Sequence, residues 1–136
     1  MADLRHPRGL IDTSVVIDLE RIDPAGLPVE VAVSAVTMAE LAAGPHATKD
    51  VTERARRQER LQRAEATFQP LPVDADVARA YGRVYAKVIA SGRKARGPRV
   101  LDLLIAATAA SIGVPLFTRN PADFTALDDL VDIIAV

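Results

Sequence analysis

The feature that most restricts how this chain can fold is its alternation of short apolar runs with longer segments of helical periodicity. Gly9-Leu10-Ile11-Asp12 is a brief run ending in an acid, and Thr13-Ser14 then open a helical pattern through Val15, Val16, Leu19 and Ile22. Residues 29–33 are valine-rich, and Ser34 is placed to cap a helix over 35–43 that Gly44-Pro45 closes. Helix-favouring sequence covers 51–68, and a short extended piece follows at Leu71-Pro72-Val73. Asp74 then caps a helix reaching Ile89. A further helix spans 100–112, with strands predicted at 114–117 and 131–136. Strands separated by helices pair in parallel through crossovers, and a parallel sheet needs cover on both faces. The predicted fold class is therefore α/β: an α/β/α sandwich around a mostly parallel central sheet.

Length and composition narrow the chemistry. The 136 residues fit a single domain, 1–136, able to bury a substantial core. With no cysteine, disulfides, thiolate metal sites and cysteine nucleophiles are excluded, so any metal must be held mainly by oxygen. The uncharged run at 103–118 is too short and too interrupted for a membrane span. The opening residues carry charges with no apolar run behind them, so no secretory signal and a cytoplasmic location are expected. A net charge of -1 gives no global pull on nucleic acid, although arginines cluster at 54–63 and, with Lys94, at 93–99.

In an open parallel sheet, ligands bind beyond the carboxyl ends of the strands. Asp12 ends the first strand, Glu40 lies in the helix after the second, Asp102 falls in the first turn of the 100–112 helix, and Asn120 and Asp123 follow the strand ending at Phe117. Each has a structural reading. Asp12 and Asp102 suit helix N-termini, Glu40 suits a solvated helix face, and Asp123 suits a turn. Together they say more, because converging carboxylates repel unless protonated or bound to cations. A hard divalent ion, Mg²⁺ or Mn²⁺, suits such an all-oxygen set, and phosphodiester hydrolysis is the chemistry it supports. The two histidines, His6 and His46, sit at no strand end. No nucleophile elbow, P-loop or dinucleotide fingerprint is present.

Four segments in order resemble a known pattern: Leu-Ile-Asp-Thr-Ser at 10–14, Ala-Glu-Leu at 39–41, Leu-Asp-Leu-Leu-Ile-Ala-Ala-Thr-Ala at 101–109 and Thr-Arg-Asn-Pro-Ala-Asp-Phe at 118–124. Nearly the whole chain is similar to the PIN-domain family, specifically to VapC-type toxins of bacterial toxin–antitoxin pairs. The resemblance implies a PIN-like sandwich, Mg²⁺- or Mn²⁺-dependent endoribonuclease activity on RNA, a homodimer, and inhibition by a cognate VapB-like antitoxin. It places Asp12, Glu40 and Asp102 at the three principal acidic positions. Asn120 stands where some relatives carry an acid, with Asp123 three residues later. Thr13, Ser14 and Thr118 are implied as hydroxyls of a water network.

Arg119 stands beside the acids either as a phosphate contact or as a counter-charge. The 93–99 segment reads as a mobile basic loop, steering RNA or simply solvated. The arginine-rich 54–63 stretch, interleaved with Glu53, Glu59 and Glu65, reads as a helix surface with internal partners. Most of the few aromatics fall on presumed core faces, so no base-stacking platform is predicted. Two other functions fit the same residues. One is a PIN-like module that binds RNA or protein with little turnover. The other is a phosphotransfer domain using Asp12 as nucleophile, disfavoured because Asp12 does not open an Asp-x-Asp arrangement, Ser14 standing at the third place, and because no lysine stands near the later strand ends.

Overall fold

The computed structural model describes residues 4–136; the opening segment's first three residues lie outside the described residues. Four strands, β1 (Arg8–Ile11), β2 (Glu30–Ala32), β3 (Leu116–Thr118) and β4 (Ile133–Ala135), form one sheet in the order β2-β1-β3-β4. Every pairing is parallel. Five helices connect them: α1 (Thr13–Ile17), α2 (Ala35–Ala43), α3 (Val51–Thr67), α4 (Ala75–Ala90) and α5 (Arg99–Ile112).

The period-two geometry of the strands sorts the core into two layers. Leu10 and Leu116 enter a cluster with Val84, Val88, Leu103, Ile105 and Phe124, supplied mainly by α4, α5 and the turn after β3. Their neighbours Ile11 and Phe117 enter a second cluster with Val15, Val16, Leu41 and Ala64, supplied by α1, α2 and α3. The α/β/α sandwich follows from that alternation. At Gly9 a Cβ would lie 2.5 Å from the Phe117 ring, so glycine leaves the room that ring occupies against β1. Gly113 ends α5 in the left-handed region at φ 67°, the C-cap geometry glycine adopts most easily.

The structure departs from the sequence reading in three places. The first helix stops at Ile17, and Leu19–Arg21 continue as a 3₁₀ turn. Ile22 is still buried, so its place in the apolar pattern reflects packing rather than one long helix, and Pro24 favours the extended backbone found at Asp23. The 93–99 segment is anchored at both ends. Arg93 Nη1 donates to the Ala122 carbonyl at 3.1 Å, and Arg99 Nη1 to the Asp123 carbonyl at 3.1 Å. Tyr85 is largely solvent-facing rather than core, and its ring packs at a tilt on Tyr81.

Candidate active site

The strand order reverses between β1 and β3: the chain leaves β1 for β2 on one side and reaches β3 on the other. That is the crevice where open parallel sheets bind ligands. Asp12 follows β1 directly, and Thr118, Asn120 and Asp123 follow or close β3. Glu40 comes in from α2 and Asp102 from the first turn of α5.

Asp12 is buried and caps α1, its Oδ1 accepting from the Val15 backbone N–H at 3.1 Å and the Ser14 hydroxyl at 2.5 Å. The capping role is therefore real, but it occupies only Oδ1; among the described residues no hydrogen bond reaches Oδ2. Glu40 is built the same way. Thr13 Oγ1 donates to Glu40 Oε1 at 2.6 Å and also lies 3.1 Å from Thr37 Oγ1. A hydroxyl has one proton, and the short contact to the carboxylate is the charge-assisted one. Thus consecutive residues at the start of α1 each steady one acid.

Ser14 ties the two strand ends together. Its oxygen accepts from the Arg119 backbone N–H at 3.0 Å and lies 3.5 Å from Thr118 Oγ1. Because the Ser14 proton is directed at Asp12, Thr118 is the donor in any bond between the two hydroxyls. Thr118 Oγ1 in turn accepts from the Asn120 backbone N–H at 3.0 Å.

The other two acids lack such support. No side-chain hydrogen bond reaches Asp102 or Asp123 among the described residues. Asp123 sits in the 3₁₀ turn Pro121–Phe124, which buried Phe124 anchors and Arg93 and Arg99 clamp through backbone carbonyls. The Asp102 pKa is raised to about 6, first by burial and then by the charges of Asp123, Glu40 and Asp12, with Arg99 opposing. The four acids therefore share one electrostatic neighbourhood. Of the two residues offered for the fourth position, Asp123 belongs to that neighbourhood. Asn120 is exposed, and its side chain makes no hydrogen bond among the described residues.

Among the described residues, no three acidic or histidine side chains are grouped tightly enough to ligate one ion directly. Mg²⁺ commonly takes one or two carboxylates and fills its remaining positions with water, so an all-oxygen set held slightly apart suits it. Arg119 pairs with Asp18, Nε to Oδ2 at 3.8 Å, so counter-charge is the role its side chain fills. On α3, Glu53 pairs with Arg56 and Arg57 as helix partners, whereas Glu59 and Glu65 have none among the described residues. The sequence reading did not find the clamp made by Arg93 and Arg99. Two arginines flanking a Gly/Pro-rich stretch were its only signal.

A cavity of about 280 Å³ opens beside Thr13 and Glu40, and a larger one of about 410 Å³ lies between α1 and α3. No helix among the described residues is long and apolar enough to cross a membrane.

The profile of the PIN domain matches residues 9–130. Ribonuclease VapC5 of Mycobacterium tuberculosis (strain ATCC 25618 / H37Rv) is 41% identical over 128 residues, covering 92% of this chain and 91% of that protein. The crystal structure of VapBC-5, a member of the VapBC family of toxin–antitoxin systems from Mycobacterium tuberculosis, superposes with a TM-score of 0.84 at 41% identity, over 96% of this chain and 99% of that one. VapBC2 from Rickettsia felis, solved with a DNA fragment from its promoter, shares the fold at a TM-score of 0.75 and 20% identity, over 95% of this chain and 98% of that one. With the sandwich, the strand order and the acids at the reversal point all in place, the chain belongs to the PIN-domain family, in its VapC group.

Proposed function

We propose that this chain is a divalent-cation-dependent endoribonuclease, the toxin of a toxin–antitoxin pair. The observation that carries the reading is the convergence of Asp12, Glu40, Asp102 and Asp123 at the strand-order reversal, with Asp102 raised to about 6 by burial and by the other three acids. Mutual repulsion of that kind is relieved by a cation. The name of the 41% identical relative, a ribonuclease, supports the same reaction class.

Asp12, Glu40, Asp102 and Asp123 would hold Mg²⁺ or Mn²⁺. Such an ion offsets phosphate charge and makes water a better nucleophile near neutral pH. The chain's own contribution is positional. Ser14 and Thr13 fix one oxygen each of Asp12 and Glu40, leaving the second oxygen of each without a partner among the described residues. The Ser14 contacts to Asp12 and the Arg119 backbone hold the ends of β1 and β3 in register. Arg99 anchors the Asp123 turn and supplies the one positive charge that opposes the rise at Asp102.

The partners follow from the same reading. RNA is the substrate. A cognate VapB-like antitoxin blocks the acids, as suggested by the VapBC complexes that share this fold, and a homodimer acting in the cytoplasm is the working form. Purified protein incubated with total cellular RNA in Mg²⁺, in Mn²⁺ and in EDTA tests the proposal, with Asp102→Asn as a control whose fold is checked by circular dichroism. Discrete cation-dependent fragments that vanish with Asp102→Asn are expected. Retained RNA binding with no cleavage in either cation would overturn the proposal in favour of a binding module with little turnover.

A further inference from the structure

The two cavities beside α1 share Ile17 and Arg60. One begins at Thr13 and Glu40; the other continues between α1 and α3 past Arg21 and Arg63. They make one groove leading from the acids along the face of α3. Its charges do not cancel. Glu53 is engaged by Arg57 and Arg56, Asp18 by Arg119, and Glu20 by Arg63 at 3.7 Å. Arg57 also donates to the Gly44 carbonyl at 2.9 Å. The guanidinium groups of Arg60 and Arg21, in contrast, make no hydrogen bond or ion pair among the described residues. Arg60 is half-buried and borders both cavities, so it stands at the join with its fork of donors unspent.

We propose that Arg60 is a phosphate-binding residue for the substrate RNA, holding a backbone phosphate of the strand where it leaves the acids through the α1–α3 groove. The inference deepens the endoribonuclease reading and rests on it for the identity of the polyanion. An unpaired guanidinium has the geometry to grip phosphate with two donors. A strand whose scissile phosphate lies at Glu40 and its neighbours presents further phosphates along a groove that begins there. No base-reading group is needed, so the contact supplies affinity and register rather than sequence preference. The sequence reading took this helix as solvated and internally paired; Arg54 and Arg63 instead find partners off the helix, and Arg60 is the arginine of the 54–63 stretch whose guanidinium has none among the described residues.

The test is binding of a labelled mixed-sequence single-stranded RNA oligonucleotide in Mg²⁺, followed by fluorescence anisotropy over a range of salt. Asp102→Asn protein is used so that the strand is not consumed, and cleavage by the unsubstituted chain is measured separately. Arg60→Ala is expected to weaken binding about tenfold, as for loss of a charged hydrogen bond, and to lower the salt slope by about one. Arg60→Lys keeps the charge and should restore the slope while recovering only part of the affinity. Arg79→Ala, whose guanidinium pairs with Asp76 on α4, should change neither. Thermal melts show whether each variant is folded. Arg60→Ala affinity within twofold of Arg79→Ala overturns the proposal and leaves the groove to a partner polypeptide. Absence of any RNA binding overturns it too. Binding that depends on Arg60 without cleavage by the unsubstituted chain would sink the nuclease reading while upholding this one.

Discussion

Asp12 and Glu40 differ from Asp102 and Asp123 in how they are held rather than in charge. The first two are each gripped by a hydroxyl from the opening residues of α1, at 2.5 Å from Ser14 and 2.6 Å from Thr13. The second two are placed only by backbone: a helix start for Asp102, and a clamped turn for Asp123. Hydrogen bonds to an ionised carboxylate stabilise the charged form, whereas burial beside like charges destabilises it. One half of the cluster is thus preorganised by neutral donors. The other half stores repulsion that a proton or a cation can relieve, and the rise at Asp102 is where that repulsion is expressed.

The comparison breaks most severely if the repulsive half is dispensable. Asp102→Asn should lower RNA cleavage by more than about a hundredfold, beyond the roughly 10–100-fold cost of losing a group that only orients a ligand. The melting temperature without divalent cation should hold or rise, because the substitution removes a charge held among three others. A folded variant that still cleaves well would remove Asp102 from the chemistry.

Next in size are the hydroxyls. Thr13→Val and Ser14→Ala each release one acid, and each should reduce cleavage by about 10- to 100-fold with about 1–3 kcal/mol lost in denaturant melts. Ser14→Ala should be the worse of the two for stability, since Ser14 also accepts from the Arg119 backbone and so joins two strand ends. Equal, negligible effects on cleavage would mean that the first pair of acids needs no orientation.

How much of this was legible in the sequence follows the same division. The strand ending at Asp12, the cap at Ser34 and the helix carrying Asp102 could be read because local signals, period-two apolar runs and capping residues, agree with the final fold. Asp12 was open to two readings, and the structure realises the capping one while leaving Oδ2 without a partner among the described residues. The choice between Asn120 and Asp123 was not legible, since both follow one strand and only the wrapping of the Pro121–Phe124 turn brings Asp123 near Asp102. The anchoring of the 93–99 segment was hidden for a related reason. Its partners are the carbonyls of Ala122 and Asp123, and any residue type supplies a carbonyl. The stop of α1 at Ile17 was not legible because Ile22 is buried although it lies beyond the helix, so the apolar spacing marked a buried residue and not the helix length.

A pH series sharpens the comparison at intermediate size. The folded pKa of Asp102, about 6, lies above the ordinary 3.8, so the folded state binds its proton more tightly than the unfolded state does. The stability this contributes is fully present below the unfolded value and is lost as pH rises through about 6. In EDTA, unsubstituted protein should therefore gain stability relative to Asp102→Asn as pH falls from neutral to about 4. Added Mg²⁺ should act in the opposite sense, stabilising more at pH 7.5 than at pH 5, because protons compete for the same carboxylate. Parallel melting curves for the two proteins at every pH would show that Asp102 is not the group storing the repulsion.

The smallest effects separate the two arginines beside the acids. Arg99 anchors the Asp123 turn at 3.1 Å and is the one charge opposing the rise at Asp102, so Arg99→Ala should push that pKa further up and shift the cleavage profile to higher pH. Among the described residues Arg119 offers its side chain only to Asp18, at 3.8 Å and partly exposed, while its structural contact runs from backbone N–H to Ser14 and survives substitution. Arg119→Ala should therefore cost less than about 1 kcal/mol, a melting shift of no more than about 4 °C, with cleavage within a few-fold of the unsubstituted chain. A loss of cleavage greater than tenfold with an unchanged melt would instead make the Arg119 guanidinium a phosphate contact, on the side of the site where Ser14 holds Asp12.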